Sequence, residues 1–323
     1  MKIAFVGKGG SGKTTLASLF AGHLAAAGRP VLAIDADINQ HLATALGADE
    51  AEAAGLPTLG DNLPLIKDYL RGNNSRITSA DAMIKTTPPG AGSRLLRVVE
   101  DNPVYDTCVR TVRGVRLAVA GRFAERDLGV SCYHAKVGAV ELLLNHLVDG
   151  PDEYVVVDMT AGADAFASGL FTRFDLTFLV CEPTVRGVGV YRQYVGYAAD
   201  FGVRLAVVGN KVADADDLEF LRAEVGGDLL TWLDRSDHVR AAERGSHRPI
   251  ALLEPHNRAA LDAMRTAVDG VVRDPVRYRR QGVEFHLRNA AAWANERAGQ
   301  DLAAQVDPDF VGITTQLEDS HVA

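Results

Sequence analysis

The 323-residue chain carries 34 lysines and arginines against 42 aspartates and glutamates, a formal charge of −8. That balance argues against a protein that coats nucleic acid or anchors on an anionic membrane, since both demand a positive field. Hydrophobic residues at 47 % and charged residues at 24 % exclude a disordered or fibrous chain, and three cysteines are too few for a disulfide framework.

The opening MKIAFVG runs directly into a strand, with no basic segment, long apolar stretch or cleavage site of a leader. No apolar run approaches the roughly 18 to 20 residues that span a bilayer, so the expected address is the cytoplasm. Short β-branched runs at Ile3–Val6, Val31–Ile34, Val115–Ala120, Tyr154–Val157, Leu176–Val180 and Leu205–Gly209 read as buried strands. Between them, Thr14–Ala27, Lys136–Leu147 and Val190–Phe201 have helical periodicity. The alternation predicts an α/β fold with a doubly wound, mainly parallel sheet.

Residues 55–113 break this rhythm with LPTLGDNLP, GNNS and TTPPGAGS, three clusters of turn formers around short amphipathic pieces. They read as an insertion at the ligand-side edge, offering a partner or lid surface. From about Asp274 the pattern changes to a helix pair or one kinked helix and then a polar tail. The expected division is therefore a main α/β domain over 1–272 and a helical C-terminal extension over 273–323. The extension reads as a packed cap, because the acidic terminus lacks the basic and aromatic face of a membrane anchor.

Gly7 to Thr15 reads GKGGSGKTT between a strand and a helix. A polyphosphate needs several converging N–H donors, and glycine lets the backbone come that close. Gly9, Gly10, Ser11, Gly12, Lys13, Thr14 and Thr15 form this cradle, with Lys13 placed for the β and γ phosphates and the Thr14 hydroxyl for Mg²⁺. The motif predicts ATP as the bound nucleotide and Mg²⁺ as its companion. VLAIDAD sets Asp35 and Asp37 at the end of a second strand, and YVVVDMTAG sets Asp158 at the end of another, where a carboxylate can hold Mg²⁺ through its waters.

The second lysine, Lys8, makes the loop resemble that of the deviant-Walker ATPases, the class of ParA, MinD, the nitrogenase iron protein and the arsenite-pump ATPase. The resemblance implies that Lys8 crosses an ATP-dependent homodimer to the partner's nucleotide, that Asp37 positions the attacking water, and that Asn210, in LAVVGNK, recognises adenine. The later strand departs from the class, with Trp232, Leu233 and Asp234 where a Pro-x-Asp usually stands.

The stretch from Val115 through SCYHAKVG to DMTAG looks most like the CooC-type nickel-insertion ATPases that mature carbon monoxide dehydrogenase. In that family a C-x-C pair from each subunit binds one metal ion at the dimer interface. Here Cys132 and His134 fall on those positions, and the resulting thiolate and imidazole set suits Zn²⁺ and accepts Ni²⁺. The likeness implies a dimeric ATP switch with a client protein, acting as a metallochaperone or maturation factor. The alternative is a regulatory or partner-positioning ATPase of the MinD or ParA kind, without a transition metal.

Overall fold

The computed structural model describes residues 1–37, 39–122, 133–162, 166 and 169–310, with the backbone alone at 133–135. Eight strands form one sheet in the order β10-β9-β8-β1-β7-β2-β5-β4. They are β1 (Lys2–Gly7), β2 (Val31–Ala36), β4 (Val109–Val112), β5 (Val115–Val119), β7 (Tyr154–Met159), β8 (Leu176–Cys181), β9 (Leu205–Val212) and β10 (Leu229–Asp234); β3 (Leu96–Arg97) and β6 (Leu147–Val148) pair separately. Every neighbour in the large sheet is parallel except β4, which returns antiparallel along β5.

Both faces of such a sheet must be covered, so its strands are apolar at every position while their side chains still alternate between two cores. Ile3, Phe5, Val31, Ala33, Val156 and Phe178 point to one side. They meet α1 (Lys13–Ala26), α2 (Leu42–Leu46), a short α3 (Glu50–Ala54) and, from the far end of the chain, α10 (Pro255–Asp269). Phe5, Phe20 and Phe178 form a triangle with ring centroids 5.3 to 5.9 Å apart, each tilted pair adding about 1 kcal/mol beyond its burial.

Ala4, Val6, Leu32, Ile34, Val155 and Val157 point to the other side. That core is closed by α4 (Leu63–Arg71), α5 (Pro103–Cys108), α6 (Tyr133–His146), α7 (Val185–Ala198) and α8 (Ala215–Val225). Much of the segment expected as an edge insertion is thus a covering layer. It begins at the ligand-side end of β5, where Leu59 and Gly60 donate to the carbonyls of Val119 and Ala120. It then buries Ile66, Leu70, Ile77, Met83, Leu96, Val98, Val104 and Tyr105 in the core and supplies β4. The turn residues that suggested an excursion only separate the apolar anchors.

Helix α7 starts five residues earlier than its periodicity suggests. Thr184 caps it by accepting the N–H of Gly187 at 3.0 Å, and the glycines that follow had masked the pattern. A short α9 (Asp237–Ala242) follows β10, and α11 (Pro275–Asn289) runs through a π turn at Ala290–Ala294 into α12 (Asn295–Ala298). Residues 275–298 of the extension are therefore one helix with a π interruption, followed by a 3-10 turn at Leu302–Gln305. The extension is packed down along its described length. Tyr278 donates to the carbonyl of Leu144, buried His286 meets the carbonyl of Leu302, and Gln305 binds the hydroxyl of Thr87 and the carbonyl of Ala82.

Under that extension, Asp149 receives the N-terminal ammonium, Lys2 and Arg273, the last two at 2.7 Å. Burial alone would raise this carboxyl, but the three cations hold it below the usual carboxylate range. Removing the anion would leave cations buried without a partner, so Asp149→Ala should lower the free energy of unfolding by about 3 to 5 kcal/mol. Urea titration of the two proteins measures this directly; a loss below about 1 kcal/mol would mean that the cluster is solvated.

Candidate functional site

The C-terminal ends of β1, β2, β7, β8 and β9 lie side by side, which is where open α/β sheets bind ligands. β1 delivers the glycine-rich loop and α1 continues from it. Within the loop the N–H of Ser11 donates to the carbonyl of Lys8 at 3.1 Å, closing a turn over Gly9 and Gly10. Gly12 sits at φ 93°, and a Cβ there would lie 2.2 Å from Asn210 Nδ2, so both conformation and space demand glycine. Lys13 is 6 % exposed at the first position of α1, and the Ser11 hydroxyl is buried with no hydrogen-bond partner among the described residues. Thr15 turns toward the groove beside the loop, together with Gln40.

Thr14, one residue into the helix, donates its hydroxyl to Asp158 Oδ2 at 2.6 Å. The other oxygen, Asp158 Oδ1, is buried and has no hydrogen-bond partner among the described residues. A hard cation takes oxygen ligands, and a hydroxyl beside a carboxylate with an open lone pair suits Mg²⁺. These residues fit the ion that accompanies a nucleoside triphosphate.

Asp35 and Asp158 are direct partners in the β2–β7 register. Both are fully buried. Asp35 accepts the N–H of Leu42 at 2.9 Å and that of Asp37 at 3.1 Å, so it anchors the start of α2 as well as the segment after β2. Burial pushes its carboxyl up to about 7 against those hydrogen bonds. Asp158 is raised well above the usual range by burial first and then by the charge of Asp35, with Thr14 and Lys13 opposing. Asp37 is half-buried, and its Oδ1 accepts from the backbone and side chain of Asn39.

Lys8 stands at the outer side of the loop with its side chain 37 % exposed, 3.9 Å from Glu182. Asn210, buried against the loop, donates from Nδ2 to the carbonyl of Ser11 at 2.7 Å. Trp232 is packed against His256 at 5.0 Å between ring centroids. Glu182 and Lys211 also belong to this constellation and were not singled out from sequence. Glu182 directly follows a buried strand, and Lys211 follows Asn210, but neither position by itself reveals that both side chains turn to the loop.

Cys132 lies outside the described residues. His134 is in the first turn of α6, and its side chain is not described. Among the described residues, no group of three or more His, Cys, Asp or Glu is arranged to hold a metal ion. No described helix is long and apolar enough to cross a membrane.

A parallel sheet whose first strand opens into a GKGGSGKTT loop, flanked by carboxylates on the next strands, defines a P-loop nucleotide-binding protein. The chain belongs to the CbiA family, the CobQ/CobB/MinD/ParA nucleotide-binding domain, whose model matches residues 3–249. It is 32 % identical over 247 residues to the carbon monoxide dehydrogenase accessory protein CooC of Rhodospirillum rubrum, covering 76 % of this chain and 87 % of that protein. An ATP-binding protein of Methanocaldococcus jannaschii is 28 % identical over 253 residues, covering 75 % and 88 % respectively. Among solved structures, a ParA family ATPase from Chlorobium tepidum has a TM-score of 0.58 at 16 % identity, with 81 % of this chain and 97 % of that chain covered. MinD from Pyrococcus horikoshii, complexed with Mg-ADP, has a TM-score of 0.55 at 16 % identity, with 83 % and 96 % covered. These structures share the fold.

Because burial raises both carboxyls, with the charge of Asp35 adding to it at Asp158, the folded protein holds protons that the unfolded chain has already released. Their contribution to stability is full at acid pH and is lost as pH rises toward 7. The melting temperature of Asp158→Asn relative to the native protein should therefore rise between about pH 5 and about pH 8 in the absence of nucleotide and Mg²⁺. A difference that stays flat across that range would show that the two carboxyls titrate normally.

Proposed function

We propose that the chain is a Mg²⁺-dependent ATPase that closes as an ATP-bound homodimer and serves the maturation of a metal enzyme. The observation that supports hydrolysis most directly is the Thr14–Asp158 contact with its open Asp158 oxygen, one residue from buried Lys13. In this reading the loop amides and Lys13 neutralise the polyphosphate, and the N-terminus of α1 points at the same charge. Thr14 and Asp158 would hold the Mg²⁺ ion, which when bound would supply positive charge against the polyphosphate. Asp37 orients the water that adds to the γ phosphorus, and as that bond forms the bond to the β-phosphate oxygen breaks, leaving ADP and inorganic phosphate.

Lys8 is not needed to hold its own nucleotide in this scheme. Half-exposed on the outer side of the loop, it is free to meet the γ phosphate of a second copy and stabilise the charge that develops there. Lys13→Ala should abolish nucleotide binding in an equilibrium assay. Lys8→Ala should bind ATP within about threefold of the native protein, yet lose about a hundredfold or more in phosphate release and fail to dimerise with ATP. Native turnover in Lys8→Ala would sink the dimer mechanism while leaving the nucleotide site intact.

The maturation role rests on the 32 % identity to CooC, a carbon monoxide dehydrogenase accessory protein by name. The cargo would be a transition metal, Ni²⁺ or Zn²⁺, taken by Cys132 and His134 of two copies, and the client an enzyme that receives it. Equilibrium dialysis with either ion should give about one metal per dimer in the presence of ATP and little with Cys132→Ala. Uptake that ignores both ATP and Cys132 would favour a switch that recruits a protein partner without metal.

A further inference from the structure

At the end of β9 two consecutive side chains reach the same loop. Asn210 Nδ2 donates to the carbonyl of Ser11, and Lys211 Nζ donates to the carbonyl of Gly10, each at 2.7 Å. Successive side chains of a regular strand leave on opposite faces, so an extended backbone cannot produce this. Two distortions make it possible. The pairing of β9 with β10 passes from Gly209 opposite Trp232 to Val212 opposite Asp234, three steps against two, so β9 carries one extra residue. Lys211 itself takes a φ of 61°, in the left-handed region that lysine enters only under constraint. A bulge re-aims a side chain, and constrained residues of this kind collect at functional sites.

The far side of the Lys211 ammonium is also held. It meets Glu182 Oε1 at 2.7 Å, while Glu182 Oε2 lies 3.9 Å from Lys8 Nζ. Glu182 is fixed by the turn into α7. The N–H of Thr184 donates to its carbonyl at 2.7 Å, and a Cβ on Gly187 would come within 2.5 Å of that carbonyl. The carboxylate side chain is 17 % exposed, against 50 % for Lys211. A continuous chain of contacts thus runs from the Gly10 carbonyl through Lys211 and Glu182 to Lys8.

A trans peptide points its C=O and the following N–H in opposite directions. Holding the Ser11 carbonyl to Asn210 therefore turns the N–H of Gly12 the other way. Holding the Gly10 carbonyl to Lys211 turns the N–H of Ser11 back onto Lys8, which closes the turn that carries Gly9 and Gly10. Glycine peptides rotate readily, and a carbonyl swung inward would put a negative end against the phosphates. We propose that Lys211 is a positioning residue of the nucleotide site: its ammonium, oriented by Glu182, holds the Gly10 carbonyl outward and keeps the loop in its anion-accepting form. This rests on the nucleotide reading given above and adds to it a residue that touches the loop rather than the ligand.

The test is the affinity of the full chain for a fluorescent ATP analogue, with inorganic triphosphate as competitor and the melting temperature of the unliganded protein as control. Lys211→Gly accepts the left-handed φ without strain and removes the ammonium. It should bind both the analogue and triphosphate about tenfold more weakly, the size of one lost charge-assisted hydrogen bond. Lys211→Arg should stay within about threefold of the native protein, and Glu182→Gln should fall between the two. Should Lys211→Gly not fold, Lys211→Asn, which also tolerates that φ, takes its place with the same expectation. Native affinity in the Gly or Asn variant, or equal weakening in Lys211→Arg, overturns the proposal. So does a loss confined to the ATP analogue and absent for triphosphate, since Lys211 would then act on the base or ribose. Failure of the underlying reading looks different, for then the native protein does not bind the analogue or Lys13→Ala binds it equally well.

Discussion

Asp158 sits fully buried at the end of a central strand, one oxygen on the Thr14 hydroxyl at 2.6 Å and the other with no partner among the described residues. A buried carboxylate with an open lone pair is costly unless something answers it. The surroundings of Asp158 are fitted to that cost. Lys13 lies near enough to oppose its rise in proton affinity, while Asp35 on the next strand raises it further. The result is a pocket in which burial favours the protonated carboxyl, and in which a hard divalent cation could take the place of the proton. Thr14, which contacts this carboxylate, directly follows the glycine-rich loop and Lys13, so the buried acid and the loop are joined by one short segment.

The rest of the fold serves to hold this edge still. Strands buried on both faces bring five C-termini into line, and two cores lock the sheet from either side. The 55–113 segment and the C-terminal helix, both of which read as additions to a standard domain, are parts of that clamp. One fills the core beneath the sheet, and the other is pinned over α6 and the 82–91 stretch by Tyr278, His286 and Gln305. Asp149 and its three cations fasten the start of β1 from the opposite end of the strand. A shift of β1 would move the loop, so anchoring its first residues bears on the site although they lie far from it.

How much of this was legible beforehand depends on the range of the interaction involved. Gly7 to Thr15 announces itself because the phosphate loop is a local device: its donors, its lysine and its helix are contiguous in sequence. Asp158 stood out because strand ends are marked by apolar runs, whereas the role expected of Asp37 rested on the resemblance to the deviant-Walker class. Asp35 was visible too, but that its carboxylate would anchor the N–H of Leu42 was not. Glu182 and Lys211 gave no signal, since their meaning lies in a bulge and in a left-handed residue that arise from pairing between β9 and β10. The start of α7 was missed for a related reason: a Thr cap outweighs glycine content, and only the folded turn shows that the cap is made.

The sequence by itself determined the class of fold and the presence of a phosphate site, because hydrophobic periodicity and a contiguous motif are short-range properties of the chain. Strand order, the burial that raises Asp35 and Asp158, and the use of 55–113 as a core layer were decided by tertiary structure. Each depends on residues more than fifty positions apart meeting across the sheet, as Thr14 meets Asp158 and Gly10 meets Lys211. No local preference specifies such meetings. They follow from the one packing that buries both faces of the sheet at once.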